Sequence, residues 1–305
     1  MDTAAFASSE LLTGTAVPAD TFILLETPTP WDKPALLSAG VPESLRQVIR
    51  PLLRSGVRVH LIADGQTPHR DRRRILIFQR SSQRSDSGLG QLAGGYRSWE
   101  IQVDSPADMA SALDGFFRGS RGHSQTLSGQ RHLMVCTHAS HNECCGLYGY
   151  PFYQDTILAI QQLGLTRQVQ PWQISHIGGH RFAPTLIDFP QGRYYGNLDR
   201  ASLLCLLKQQ GPIEPLLATY RGWSLLPKPL QILETELLRQ HRWDWLRGRV
   251  AGRILKQTTS RVWVEIWFEP PGEPLLRYTA EIQDNRLCRL ELAAPASLLI
   301  HRKTG

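Results

Sequence analysis

The sequence lacks any long apolar run, since no stretch reaches the ~18 consecutive apolar residues that a membrane-spanning helix needs. Its opening, MDTAAFASSELLTGTAV, has no basic segment ahead of an apolar one, unlike a secretory signal peptide. We therefore expect a cytoplasmic protein without a membrane partner. With 305 residues, 41% of them hydrophobic, the chain is long enough for about two ordinary domains with buried cores.

Cysteine is scarce, and the number of cysteines is odd. Five cysteines without a secretion signal argue against a disulfide framework and for reduced thiols. Cys205 and Cys288 lie in the apolar stretches SLLCLL and NRLCRLEL, where a buried, inert thiol is the ordinary interpretation. The other three fall within ten residues, in CTHASHNECC, and are Cys136, Cys144 and Cys145.

Motifs for nucleotide binding and for acid–base catalysis are also missing. The GLG at 88–90 lies in the polar, glycine-rich stretch 81–95, lacks the complete GxGxxG spacing and precedes a strand rather than a helix. We interpret this stretch as a hairpin connection. The sequence pattern places no two carboxylates together, as a glycosidase would require, and it contains no second cofactor motif.

The formal net charge of +7 could indicate an anionic partner, such as nucleic acid or an acidic redox protein. The basic residues are dispersed, however, and their one dense run, HRDRRR at 69–74, leads directly into the strand-like ILIF. We therefore prefer a charged loop before a strand over a nucleic-acid site.

Hydrophobic periodicity divides the chain into three regions, 1–125, 126–212 and 213–305. The first two share the predicted order β-α-β-β-β-α, so we expect the first to be a ligand-free echo of the second. The third predicts one long helix over 230–246 and then an antiparallel meander, giving an α/β protein overall. The strands predicted in the first two regions are 22–26, 57–63, 74–79, 98–103, 132–136, 169–175, 185–189 and 193–198, and the helices are 42–56, 106–117, 152–164 and 199–211.

Two pairs of potential metal ligands follow two strands of the second region. Cys136 pairs with either Cys144 or Cys145 after the first strand, and His176 pairs with His180 after the second, in SHIGGHRFAP. The glycines between the histidines favour a loop over a helix. If the two strands are parallel neighbours, both loops lie at the same carboxyl edge of the sheet, where open α/β folds place their sites. We therefore expect a metal or cluster site there.

The cysteine spacing bears on which metal is bound. Zn²⁺ accepts two cysteines and two histidines, but structural zinc sites usually place about two to four residues between their cysteines. Eight residues separate Cys136 from Cys145. The wider loop suits a [2Fe–2S] cluster, since histidines replace two cysteines on one iron of Rieske clusters. The alternatives are a zinc-stabilised binding module with the same ligands, and a thiol enzyme with Cys144 or Cys145 as nucleophile.

Several stretches resemble a known family. CTHASHNECCG at 136–146 and SHIGGHRFAPTLIDFPQGRYYG at 175–196 resemble the sucrase/ferredoxin-like family, whose members have a thioredoxin-like ferredoxin domain. The resemblance is strong over 132–200 and weaker at SSELLTGTA and PTPWDKPALL, which are similar to the family's opening. The third region matches only loosely.

The resemblance implies a ligand set. Neighbouring residues of an extended loop point opposite ways, so only one of Cys144 and Cys145 should face the centre, and the family spacing selects Cys145. The chain departs from the family at His141-Asn142, where Arg-Asp is expected, which changes the hydrogen bonding beside the cysteine loop. Carried over by position, the [2Fe–2S] ligands are Cys136, Cys145, His176 and His180.

The resemblance further implies an electron carrier rather than a catalyst, supplied with electrons by an external reductase or flavoprotein. The basic surface would steer an acidic partner of that kind. The word sucrase in the family name implies no glycosidase in this chain. The side chains and amides expected to form hydrogen bonds in the loops or to the cluster belong to His138, Ser175, Gly178, Gly179 and Arg181.

Overall fold

A ten-stranded mixed sheet forms the centre of the molecule, and a separate four-stranded antiparallel sheet lies in the C-terminal region. Residues 69–71 and 81–91, which belong to the basic run and the glycine-rich stretch, lie outside the described residues. Within the described ranges, no helix is both long and apolar enough to cross a membrane. The computed structural model describes residues 12–65, 72–80, 92–120, 124–127 and 129–293.

The central strands in the first half of the large sheet are apolar because both of their faces are covered. In the first strand, Ile23 and Leu25 pack against two helices, whereas Phe22 and Leu24 join the larger core on the opposite face. The elements of this half are β1 (Thr21–Glu26), α1 (Glu43–Arg54), β2 (Arg58–Ala63), β3 (Arg73–Arg80), β4 (Tyr96–Val103), α2 (Met109–Phe117) and β5 (Ser124–Thr126).

The second half repeats this order with one extra short helix before its last strand. The prediction missed both this helix and this strand, as it missed β5. The last strand of the second half, from 220 to 223, lies beyond residue 212, where the second region was predicted to end. It pairs with the preceding strand of the sheet. The elements are β6 (Arg131–Cys136), α3 (Glu143–Gln162), β7 (Val169–Ile174), β8 (Leu186–Phe189), β9 (Arg193–Tyr195), α4 (Arg200–Lys208), α5 (Glu214–Leu217) and β10 (Tyr220–Trp223).

The two halves have the same strand order and the same strand directions. In the first, β1 pairs parallel with β2 and antiparallel with β3, which pairs antiparallel with β4. In the second, β6, β7, β8 and β9 are related in the same way. A β-α-β unit followed by antiparallel strands and a helix is the thioredoxin-like arrangement, so the predicted fold class is confirmed. The halves meet where β2 pairs antiparallel with β7.

Helix α3 begins nine residues before the helix predicted at 152–164. Cys144 and Cys145 therefore lie in its first turn, and the prediction that they occupy an extended loop is wrong. The side chain of Asn142 caps the helix by accepting a hydrogen bond from the Cys144 amide at 3.0 Å. The pattern concealed this start because two glycines and Pro151 interrupt the first half of the helix, and all three residues disfavour a helix interior.

The third region contains the predicted meander, but its helix is divided. A positive φ at Arg242 (55°) separates two helices where one was predicted over 230–246. The first of them packs between β10 and the meander, and its apolar side chains join the same large core. The elements are α6 (Lys228–His241), α7 (Trp243–Arg247), β11 (Arg249–Gln257), β12 (Arg261–Glu269), β13 (Leu276–Gln283) and β14 (Arg286–Ala293).

A buried ion pair ties α6 to the large sheet. The guanidinium of Arg193 in β9 donates to a carboxylate oxygen of Glu234 at 2.6 Å, and both side chains are at most 3% exposed. The hydroxyl of Tyr220 in β10 donates to the same oxygen at 2.8 Å. The C-terminal region is therefore joined to the sheet by a charged contact that solvent does not screen.

Glu234→Gln should destabilise the protein by about 3–5 kcal/mol, because it leaves the Arg193 guanidinium buried without its counter-charge. The matched control is Glu236→Gln on the same helix, whose carboxylate forms a partly exposed pair with Arg239. That pair is worth about 0–1 kcal/mol. Urea unfolding of both variants measures the difference, and equal midpoints would show that the buried pair does not secure α6.

Candidate metal centre

Cys136 is the last residue of β6, and its position is set by the pairing of that strand. In the parallel ladder it lies opposite Ile174, the last residue of β7. Its amide donates to the Thr185 carbonyl at 3.0 Å, and its side chain is 1% exposed. The thiol is thus held rigidly at the carboxyl edge of the sheet, where the sequence placed the site.

Cys145 reaches the same edge from the first turn of α3. The helix approaches the end of β6 very closely through two glycines one turn apart. A Cβ at Gly149 would lie 2.0 Å from the Cys136 carbonyl oxygen, and one at Gly146 would lie 2.6 Å from the Ala139 Cβ. The Cys145 side chain is 1% exposed, whereas that of Cys144 is half-buried. Between the two cysteines, it is Cys145 that faces inward.

His176 follows β7 and brings an imidazole to the two thiols. Its Nδ1 lies 3.6 Å from the Cys145 Sγ. Its backbone amide donates to Nδ1 of His138 at 3.2 Å, which leaves Nε2 of His138 to donate to the Asp32 carbonyl at 2.9 Å. His138 therefore acts as a hydrogen-bonding bridge between loops, the role expected for it.

Three of the four predicted ligands converge. One donor atom from each of Cys136, Cys145 and His176 lies within 4.8 Å of the other two. His180 stands next to this group, in the 3₁₀ turn His180–Phe182, with its ring centroid 5.8 Å from that of His176. It is exposed, unlike the thiols. The ring of His141 stacks on that of His176 with centroids 3.8 Å apart.

The two thiols have opposite pKa shifts because they share one proton. A hydrogen bond from Cys145 lowers the pKa of the Cys136 thiol well below its ordinary value, and hydrogen bonds from His176 and the His138 backbone lower it further. Donating that bond, together with burial, raises the pKa of the Cys145 thiol. The lowered pKa of Cys136 favours its thiolate, which is the form in which cysteine binds metals.

A segment of the first half closes over the cysteine loop. Besides the Asp32 contact, the Trp31 carbonyl accepts from the Ser140 hydroxyl, and the Lys33 ammonium donates to the His141 carbonyl at 3.2 Å. Trp31, Asp32 and Lys33 lie in PTPWDKPALL, which is notable in the sequence only for its similarity to the family's opening. The sequence pattern does not predict their contacts with the site, because contacts between loops more than a hundred residues apart leave no local sequence pattern.

Other residues expected near the site have different contacts. The Ser175 hydroxyl accepts from the Leu61 amide at 3.0 Å, so it joins β7 to β2. The guanidinium of Arg181 is exposed and lies 4.6 Å from the centre of the Phe182 ring. Gly178 and Gly179 both have positive φ (82° and 76°), which turns the chain sharply between the two histidines.

Gly149→Ala should destabilise the protein by about 1–3 kcal/mol or more, because the new methyl group overlaps the Cys136 carbonyl and forces α3 away from β6. The variant should also retain less metal, since Cys145 moves with the helix. The control is Gly115→Ala in α2, where the new Cβ meets Ser120 at an ordinary 3.8 Å. Urea unfolding and metal content are measured for both, and equal values would contradict the close docking.

Comparison with known proteins places the chain. The family model for sucrase/ferredoxin-like proteins matches residues 12–222. No curated protein matches the sequence. Among solved structures, a thioredoxin-like [2Fe–2S] ferredoxin from Aquifex aeolicus is 15% identical, with a TM-score of 0.27 and coverage of 33% of this chain and 97% of that chain. A likeness this low assigns neither fold nor ligand, but the family model spans more than half of the sequence. The chain belongs to the sucrase/ferredoxin-like family.

Proposed function

We propose that this protein is an electron carrier that holds a [2Fe–2S] cluster through Cys136, Cys145, His176 and His180. The observation that carries the proposal is the convergence of two thiols and an imidazole within 4.8 Å, with a second imidazole adjacent. The chain's membership of the sucrase/ferredoxin-like family supports it.

The donor set fits such a group. Thiolate and imidazole are the ligand types of two-histidine [2Fe–2S] centres, and hydrogen bonds from neighbouring groups lower the pKa of one thiol, Cys136. Bound there, the cluster would accept and release single electrons. The chain's own contribution is to keep the two thiols away from solvent and to fix the His176 backbone through His138.

The two sides of the site differ in exposure, which bears on a partner. Cys136 and Cys145 are buried, whereas His180 is exposed, and Leu147 and Tyr148 on the adjoining turn of α3 are 64% and 51% exposed. We place the docking of a reductase or flavoprotein on this side. The five free thiols suit a reducing compartment, in keeping with a protein of the cytoplasm.

A zinc-stabilised binding module is the second candidate. The 3.6 Å separation of the Cys145 Sγ and the His176 Nδ1 favours it, because ligands that share one tetrahedral ion lie at about this separation. The thiol-enzyme alternative fits less well. The thiol with the lowered pKa is Cys136, and a side chain that is 1% exposed does not reach a substrate.

Cys136→Ser and Cys145→Ser should each abolish or strongly reduce iron content and visible absorption, because a hydroxyl is a poor substitute for a cluster thiolate. Cys144→Ser is the matched control, one residue away and half-buried, and should keep the iron. Cys205→Ser and Cys288→Ser should keep it as well. Iron and sulfide analysis, absorption and EPR are applied to protein purified without oxygen.

The outcomes of this series are distinct. If the wild-type protein is colourless and contains one zinc per chain, the site binds zinc and the cluster proposal is wrong. A Cys145→Ser protein with full iron, beside a Cys144→Ser protein without it, would exchange the two cysteines as ligands and contradict the inward orientation of Cys145.

His176→Cys and His180→Cys should still assemble a cluster but with a lower reduction potential, because a charged thiolate replaces a neutral imidazole and stabilises the oxidised iron. His141→Asn is the control, since it alters a ring stacked on His176 without removing a proposed ligand. Potentials are measured by spectroelectrochemical titration. If both cysteine variants match the wild type, neither histidine binds iron.

A further inference from the structure

Arg221 in β10 is a buried arginine directly beneath the histidine loop. Its side chain is 2% exposed, and within the described part of the chain its guanidinium donates to neutral acceptors. Nη1 donates to the Gly178 carbonyl at 3.0 Å, while Nη2 and Nε donate to the carbonyl and hydroxyl of Thr15 at 2.8 and 3.0 Å. Among the described residues, no carboxylate forms an ion pair with it.

The guanidinium packs so closely against the loop that only glycine fits above it. A Cβ at Gly179 would lie 2.6 Å from Nη2 and 2.7 Å from Cζ of Arg221. Gly179 is followed at once by His180, and its carbonyl accepts from the Phe182 amide at 2.8 Å to form the 3₁₀ turn. The turn that carries His180 therefore rests on the plane of this guanidinium.

The charge of Arg221 bears on the thiols as well. Burial lowers the pKa of its guanidinium to about 10, which still leaves it protonated at neutral pH. Negative charge on the Cys136 thiol would act in the opposite direction to burial and favour the charged form of Arg221. A cation in a poorly screened interior lowers the energy of negative charge nearby.

We propose that Arg221 is a positioning residue, which holds the His176–His180 loop in place and supplies a fixed positive charge that raises the reduction potential of the centre. The inference rests on the proposed function. Reduction adds one negative charge to a centre that already has two thiolate ligands, and the buried guanidinium stabilises that added charge. The electron is delivered by the external reductase and leaves to the next acceptor.

The test compares Arg221→Met, Arg221→Lys and Gln231→Met. Gln231 is the control because its buried amide also secures the neighbouring segment, donating to the Ala16 carbonyl at 3.2 Å, but it carries no charge. Two quantities are measured for each protein. They are the midpoint potential of the loaded protein and the hydrogen-exchange rate of the 178–182 amides in the metal-free protein.

Arg221→Met should lower the equilibrium constant for reduction at least about tenfold, a shift of about 59 mV for one electron, and should speed exchange in the loop. Arg221→Lys should keep a potential near that of the wild type but exchange faster, because an ammonium retains the charge and loses the planar fork. Gln231→Met should leave both quantities unchanged.

The midpoint potential tests the electrostatic role of Arg221, and the exchange rate tests its positioning role. Equal potentials in wild type and Arg221→Met would overturn the electrostatic role, and equal exchange rates would overturn the positioning role. If Arg221→Met does not fold, a lysine variant whose potential falls by the same tenfold would overturn the charge argument. Wild-type protein without a cluster would refute the proposed function, while the exchange measurement would still decide the positioning role.

Discussion

The parallel pairing of β6 with β7 is the constraint on which the rest of the structure depends. It sets Cys136 opposite Ile174, so the chain leaves both strands at the same edge and the histidine loop begins beside the first thiol. Helix α3 must then cross back over this edge, and it can do so only because Gly149 lies against the Cys136 carbonyl. The contact between two thiols and an imidazole is the outcome of these two packing requirements.

The first half of the chain repeats the topology of the second but serves it as a support. It has no cysteine, and it contributes to the site two backbone carbonyls, the Lys33 ammonium and a strand. The carbonyls of Trp31 and Asp32 hold the cysteine loop, and β2 fixes Ser175 at the end of β7. One copy of the fold thus carries the converging thiols and imidazole, and the other orders the loops between them.

Sequence reasoning reached most strands and the cysteines and histidine that converge at the candidate site, because both have local signatures. Alternating or continuous apolar runs marked most strands, and clustered cysteines and histidines marked the site. It missed the start of α3, where glycine and proline are tolerated because tertiary packing outweighs helix propensity. It also missed Arg221 in β10, since the acceptors of its guanidinium are backbone carbonyls and a hydroxyl some 40 to 200 residues away. Contacts of this kind leave no periodic pattern in the sequence from which they could be predicted.

The uneven burial of the site limits the routes by which electrons can reach and leave the proposed carrier. With both thiols enclosed by α3 and the sheet, and the second imidazole at the surface, electrons would enter and leave through one window. The electron donor and the electron acceptor would then compete for a single docking site and could not bind opposite faces at the same time. Such a protein works as a shuttle that binds its two partners in turn, and its rate of electron transfer is limited by how quickly each complex dissociates.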